Sequence, residues 1–110
     1  MLKPADEFLK KYSKTPLNFV TTHKITFPKD FGLPYVHYAS VTQKVGFDLY
    51  SLCGQTLDLE EWNLFEKKNG SNLRAFVVIK DQKAICGWLA EAKSAPGGGV
   101  YPLSASFDKK

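Results

Sequence analysis

The sequence predicts a small α+β domain built on a curved antiparallel sheet. Its 110 residues suffice for one hydrophobic core. Hydrophobic residues make up 44% and charged residues 24%, as in ordinary globular domains. Most segments alternate apolar with polar side chains, and only two show a clear helical pattern. We therefore expect residues 1–110 to form a single domain, arranged as an OB-like sheet or as an α/β two-layer sandwich.

The first segment predicts a short helix within an N-terminal helical arm, residues 1–16. Pro4 suits the first turn of a helix, Asp6 and Glu7 lie near its start, and lysines lie near its end, which complements the helix dipole. Residues 17–27 then alternate between apolar and polar side chains, which predicts a half-buried strand.

Two further strands are predicted over residues 35–41 and 45–53, after a loop at residues 28–34. Asp48 lies on the polar side of the second of these strands. It is the only acid between residues 31 and 56, in an aromatic setting of low charge.

The clearest element is a helix predicted over residues 59–69. Asp58 suits the N-cap position, and Glu61 three residues later completes a pattern like a capping box. Gly70 supplies a stop signal after the last turn.

The last third of the chain predicts strands, with one ambiguous segment. Residues 73–80 form a strongly β-prone run. Residues 82–94 fit either a helix or a strand that follows a hairpin turn. Gly87 would destabilise a helix by about 1 kcal/mol relative to alanine, which favours the strand. Residues 94–99 read as a flexible glycine-rich loop before a final strand at 100–107.

The order of three strands, a helix and two strands is that of an OB-fold, whose sheet face binds oligonucleotides. The N-terminal helix and the final strand would be additions to that fold. If residues 82–94 were helical, the alternative would be a sandwich with its helices on one face of the sheet.

The net charge is +4 and is unevenly distributed, because residues 1–29 hold six lysines against two carboxylates. Such an excess is consistent with binding to anions such as nucleic acids, and also with a role in solubility alone. Only Arg74 among the fifteen basic residues is an arginine, which disfavours sequence-specific reading of duplex bases.

Period-2 alternation predicts one outward sheet face that carries both cations and rings. Bases stack on aromatic rings in single-stranded nucleic-acid sites, while basic side chains follow the backbone. We therefore predict a non-enzymatic module that binds single-stranded DNA or RNA with little sequence specificity. Its phosphate-binding residues would be Lys24, Arg74 and Lys80, and its stacking residues Tyr38, Tyr50 and Phe76. The alternative for the sheet face is that Phe76 and Val78 lie beneath a helix and belong to the core.

Two other functions stay open at this stage. The same exposed aromatics would serve a protein-interaction module, such as an inhibitor, an immunity protein or an accessory subunit. A small thiol-dependent enzyme would need Cys53 or Cys86 beside His23 or His37. No nucleotide-binding or hydrolase motif and no zinc-type cysteine spacing occurs, so we expect no catalytic residues, no metal and no cofactor.

The cysteines and the lack of long apolar segments bear on the cellular compartment. Cys53 and Cys86 lie in apolar stretches and are expected to be buried and reduced, with one disulfide or a reactive thiol as alternatives. No stretch has the length of a signal peptide's apolar region or of a membrane span. We therefore expect a cytoplasmic protein with no membrane contact, and the oligomeric state is left open.

Overall fold

The computed structural model describes residues 4–32, 35–68, 71–91 and 100–105. Its elements are α1 (Pro4–Lys11), β1 (Pro16–Thr26), α2 (Tyr35–Gln43), a 3₁₀ turn (Leu49–Leu52), β2 (Thr56–Lys68), β3 (Ser71–Lys80), β4 (Lys83–Glu91) and β5 (Val100–Tyr101). The strands form one sheet in the order β1-β2-β3-β4-β5, in which every neighbouring pair is antiparallel. The predicted α+β class with an antiparallel sheet is therefore confirmed.

The helix α1, the strand β1 and the β3–β4 hairpin follow the sequence patterns. The N-terminal helix is α1, and the strands predicted over residues 17–27 and 73–80 are β1 and β3. The ambiguous segment 82–94 contains β4, because Asp81 and Gln82 adopt φ angles of 52° and 64° and close a two-residue hairpin.

The final strand is shorter than predicted, since β5 covers only Val100–Tyr101 and a turn follows it. The loop predicted at residues 94–99 lies outside the described residues, as do residues 1–3 of the predicted N-terminal arm.

The helix predicted over residues 59–69 is wrong, because this segment forms most of β2. β2 pairs with β1 on one side and with β3 on the other, so these neighbours take up the backbone groups that a helix would bond internally. Asp58 and Glu61, which suggested a helix cap, instead contact Lys24 and Arg74 on the neighbouring strands.

The strands predicted over residues 35–41 and 45–53 are also wrong, because α2 and the 3₁₀ turn occupy these positions. The aromatic and β-branched side chains of α2 have weak helix propensity. Tertiary packing overrides it, since α2 lies against β4 and β5 and buries Ala39, Val41 and Thr42. The Thr42 hydroxyl donates to the Tyr38 and Ala39 carbonyls at 3.0 and 3.1 Å.

The order that suggested an OB-fold depended on these misplaced elements and is not observed. The strands follow one another as a simple meander, and both described helices come before β2. Neither of these helices is long and apolar enough to cross a membrane.

The two helices cover opposite faces of the sheet. On the α1 side, Ala5 and Leu9 join a cluster with sheet residues Trp62, Leu64, Leu73, Ala75, Val77 and Leu89. On the α2 side, Ala39 and Val41 join a cluster with Ile25, Leu59, Val78, Cys86 and Trp88. The central strand β3 is therefore apolar on both faces, as its uninterrupted run of hydrophobic residues implies.

Gly87 allows β3 and β4 to approach closely at the centre of the sheet. It is buried opposite Val77. A β-carbon at this position would lie 2.5 Å from the Phe76 carbonyl oxygen and 3.3 Å from Val77 Cα, both of which belong to the backbone. The sheet therefore requires glycine here for space.

We expect Gly87→Ala to lower the free energy of unfolding by about 1–3 kcal/mol, because the strand must shift to relieve the clash. Gly32→Ala is the matched control, since a β-carbon at Gly32 would meet nothing within 4 Å. Urea denaturation of both variants measures the effect, and equal midpoints for the two would contradict the close approach.

Candidate binding site

The six residues predicted to form one binding face lie in separate parts of the structure. Arg74, Phe76 and Lys80 alternate along β3 on the α2 side of the sheet. Lys24 lies in β1 opposite Asp58, on the α1 side. Tyr38 and Tyr50 belong to α2 and to the 3₁₀ turn. A single outward sheet face that carries all six residues is therefore not formed.

Aromatic rings form a continuous series on the α2 side of the sheet. Neighbouring ring centroids lie 4.3–6.5 Å apart along the order His23, Phe76, Trp88, Tyr38, Tyr35, Phe31 and Tyr50. The two end residues, His23 and Tyr50, are exposed, whereas the residues between them are buried or half-buried. The inner rings therefore pack α2 and its flanking loops onto the sheet, and the series reaches solvent at its ends.

Tyr38 is a packing residue. Its ring stacks on Trp88 with a centroid distance of 4.3 Å and an interplanar angle of 10°. Burial, and secondarily the neighbouring Tyr35, raise the pKa of the Tyr38 phenol above its ordinary value of 10.0. Phe76 is also half-buried and packs against Trp88, and Val78 is fully buried. Val78 thus belongs to the core cluster that includes α2, as the alternative assignment of the sheet face expected, and Phe76 packs at the margin of this cluster between His23 and Trp88.

Two of the three predicted phosphate-binding cations already have carboxylate partners. Arg74 Nη1 donates to Glu61 Oε2, and Lys24 Nζ donates to Asp58 Oδ1. The Lys24 pair is exposed, so its contribution to stability is small. A phosphate group would nevertheless have to compete with a carboxylate at both positions. Lys80 lies half-buried at the end of β3.

Glu61 holds a small polar network at the exposed end of the ring series. Its carboxylate binds Arg74 through Oε2 and lies 2.7 Å from His23 Nε2 through Oε1. Burial alone would raise the pKa of Glu61, but hydrogen bonds from His23 and Arg74, together with their charges, outweigh it and lower the pKa below the ordinary 4.5. The network therefore joins β1, β2 and β3 through one ionised carboxylate.

Tyr50 presents the most exposed ring of the series. It lies in the 3₁₀ turn, 51% exposed, and stacks on Phe31 with a centroid distance of 4.6 Å. Asp48 is the N-cap of this turn, and its Oδ1 accepts the Tyr50 backbone N–H at 3.1 Å. The cap and the stacked ring together fix where the Tyr50 side chain projects.

A cleft of about 400 Å³ opens beside Tyr50. We call it the Tyr50 cleft and define it by its lining residues, which are Ala39, Gln43, Gly46, Phe47, Asp48 and Tyr50. Its volume falls in the range of small-ligand sites in proteins, and its lining combines apolar and ring surface with one carboxylate and one amide. Such a cleft suits a group that is flat or apolar along one side and donates hydrogen bonds at its tip.

Sequence reasoning missed most of this cleft because it assigned the segment to strands. Phe31, Gln43 and Phe47 carried no site prediction, although Tyr50 did. The one available signal was Asp48, the single acid in an aromatic stretch of low charge. A turn assigned to residues 48–53 would have brought Asp48 and Tyr50 together through the capping hydrogen bond.

The two thiols lie in different surroundings. Both cysteines are free, Cys86 buried as expected and Cys53 exposed against expectation. Burial raises the pKa of Cys86 to about 12, so this thiol stays protonated at neutral pH. Within the described ranges, no hydrogen bond joins either cysteine to His23 or His37.

We expect Tyr38→Ala to lower the free energy of unfolding by about 2 kcal/mol, because it removes the ring that stacks on Trp88 beneath α2. Tyr50→Ala should lower it by less than about 1 kcal/mol, since half of this residue is already in water. Thermal and urea denaturation of both variants measure the difference. A larger loss for Tyr50→Ala would mean that Tyr50 is the packing residue of the pair.

Replacing Glu61 tests the polar network through its pH dependence. A carboxyl whose pKa is lowered by folding stabilises the native state above its unfolded pKa, and this stabilisation is lost as the pH falls through the folded pKa. We expect Glu61→Gln to lower the free energy of unfolding at pH 7 by about 1–2 kcal/mol. The difference from the wild type should shrink as the pH is lowered from about 5 towards 3. Urea titrations across this range provide the measurement, and a constant difference would exclude an ionised Glu61 as its source.

No family model, curated protein or solved structure shows significant similarity to this chain. The functional assignment below therefore depends on the geometry of the site alone.

Proposed function

We propose that this domain is a protein-interaction module and that the Tyr50 cleft is its recognition surface. The observation that carries this proposal is the position of Tyr50 itself. Its ring is half-exposed, held against Phe31 and placed at the rim of a cleft. Tyrosine is enriched among the residues that dominate binding energy at protein interfaces, and a ring held in place loses little entropy on binding.

The surface around the cleft has the mixed character of an interface. Val36 is 39% exposed and lies one helical turn before Ala39, so α2 extends the cleft with an apolar side chain. Gln43 and Asp48 add an amide and a carboxylate to the lining. An apolar centre with polar groups at its margin is the usual organisation of a protein interface.

The charges near Tyr50 favour a protein over a nucleic acid. Among the described lining residues of the cleft, the group charged at neutral pH is the Asp48 carboxylate, which would repel a phosphate backbone. Arg74 and Lys24 have carboxylate partners and lie outside the cleft lining. Binding to single-stranded DNA or RNA stays a prediction, supported by the net charge of +4 and by the lysines of residues 1–29.

A second group of exposed apolar side chains lies where β1 begins, at Leu17, Val20 and Phe65. Leu17 and Val20 occupy the positions where the register between β1 and β2 shifts. Bulges of this kind protect an edge strand from pairing with other chains. Leu17 is 52% exposed, almost the same as Tyr50 at 51%. Replacing Leu17 is therefore a matched control for replacing Tyr50.

The proposal is tested by selecting a library of random peptides on the wild-type protein, with counter-selection on Tyr50→Ala. We expect peptides that bind the wild type and the Leu17→Ala control alike, and whose affinity falls about tenfold or more with Tyr50→Ala. Fluorescence anisotropy with the selected peptides measures the affinities. A labelled single-stranded DNA of mixed sequence is titrated in parallel at two salt concentrations.

Two results would overturn the proposal. One is a selection that yields no peptide whose affinity falls with Tyr50→Ala. The other is saturable DNA binding that falls steeply with salt and is lost in Tyr50→Ala, because this would assign the Tyr50 surface to nucleic acid.

A further inference from the structure

The Tyr50 cleft has the features of a pocket for one particular side chain. We infer that the cleft binds an arginine side chain of the partner protein, an inference that rests on the proposed protein-interaction role. The inference combines the free capacity of the Asp48 carboxylate, the flat ring of Tyr50 and the single arginine of this chain.

The carboxylate of Asp48 has room for another donor. Among the described lining residues it is the one that carries a charge at neutral pH, and the residue is exposed. Oδ1 accepts the Tyr50 N–H, and no lysine, arginine or histidine within the described segments pairs with the carboxylate. A carboxylate offers about four acceptor positions, so most of its capacity faces the cleft or solvent. The charge complementary to this surface is positive.

The shape of the cleft selects a guanidinium over an ammonium. The Tyr50 ring is held at 26° to the Phe31 ring and gives the cleft a flat, fixed wall. A guanidinium stacks on such a ring and donates two parallel hydrogen bonds to a carboxylate, whereas an ammonium is a point charge with a strong hydration shell. The Gln43 side-chain amide, also in the lining, offers a further acceptor oxygen.

The arginine must come from another protein. This chain contains only Arg74, and its guanidinium already donates to the buried Glu61 carboxylate. Transferring Arg74 into the cleft of a second copy would leave Glu61 without its strongest partner in a buried position. Self-association through this contact is therefore disfavoured.

Simple amino-acid derivatives test the inference directly. Amide chemical shifts of the protein are followed by NMR during titration with N-acetylarginine amide, N-acetyllysine amide and N-acetylcitrulline amide. Citrulline has nearly the shape of arginine without its charge. We expect the arginine compound to shift the amides of Gln43, Gly46, Asp48 and Tyr50 saturably, and to bind about fivefold to tenfold more tightly than the citrulline compound. The lysine compound should bind with an affinity between the two.

Two variants separate charge from structure. Asp48→Asn keeps an acceptor for the Tyr50 N–H and so preserves the turn, but removes the negative charge. We expect its affinity for the arginine compound to fall to that of the citrulline compound. Asp58→Asn, which removes a carboxylate paired with Lys24 on the α1 side, is the matched control and should bind arginine as the wild type does.

The outcomes also distinguish this inference from the proposed function. Equal affinities for arginine and citrulline, or an unchanged affinity in Asp48→Asn, would overturn the arginine pocket. If peptides dependent on Tyr50 were nevertheless selected, and lacked arginine, the interaction module would stand without it. If no selected peptide depends on Tyr50, the proposed function is wrong, and the arginine pocket loses the role on which it rests.

Discussion

The packing of α2 on the sheet determines where every feature of the candidate site lies. The stack of Tyr38 on Trp88 holds this helix over β4, and Val78 belongs to the same buried cluster, with Phe76 packed at its margin. The same ring series continues through Tyr35 and Phe31 to Tyr50. Residues of α2 and of the 3₁₀ turn line the cleft. The shape of the cleft therefore depends on the stack of Tyr38 on Trp88, which holds α2 on the sheet. Stability and the proposed recognition therefore share one set of aromatic residues, with different members serving each.

The division of labour along the series follows from burial. Inner rings have exchanged water for neighbouring rings and contribute to stability, whereas Tyr50 keeps half of its surface in water and is available to a partner. At the opposite end, the network of Glu61, His23 and Arg74 joins three strands on the uncovered part of the sheet. Arg74, one of the three cations predicted to bind phosphate, thereby supports the sheet. The exposed ring is left beside a carboxylate, and this pattern favours a protein partner.

The sequence predicts the parts of the fold that local patterns determine. Alternation predicts β1 and a β-prone run predicts β3, whereas residues 82–94, which contain β4, fit either a helix or a strand. It fails at residues 59–69, because Asp58 and Glu61 have the spacing of a helix cap while pairing of β2 with two neighbouring strands determines the structure. It fails again at residues 35–53, where packing on Trp88 makes a helix from residues of high β-propensity. At the cleft, the alternating pattern predicts an exposed Tyr50. It does not predict the 3₁₀ turn that places Asp48 and Phe47 beside this ring, because it assigns the segment to a strand.

In the structure, Tyr38 packs on the sheet and Tyr50 lies at the rim of a preformed cleft. Nuclear Overhauser contacts of selectively labelled tyrosine rings test both placements in the free protein. The structure predicts strong contacts from the Tyr38 ring to the Trp88 indole, and from the Tyr50 ring to Phe31, with Tyr50 remaining accessible to a soluble paramagnetic agent. The account would be contradicted if the Tyr38 ring showed no contact with the Trp88 indole, or if the Tyr50 ring were protected from the paramagnetic agent.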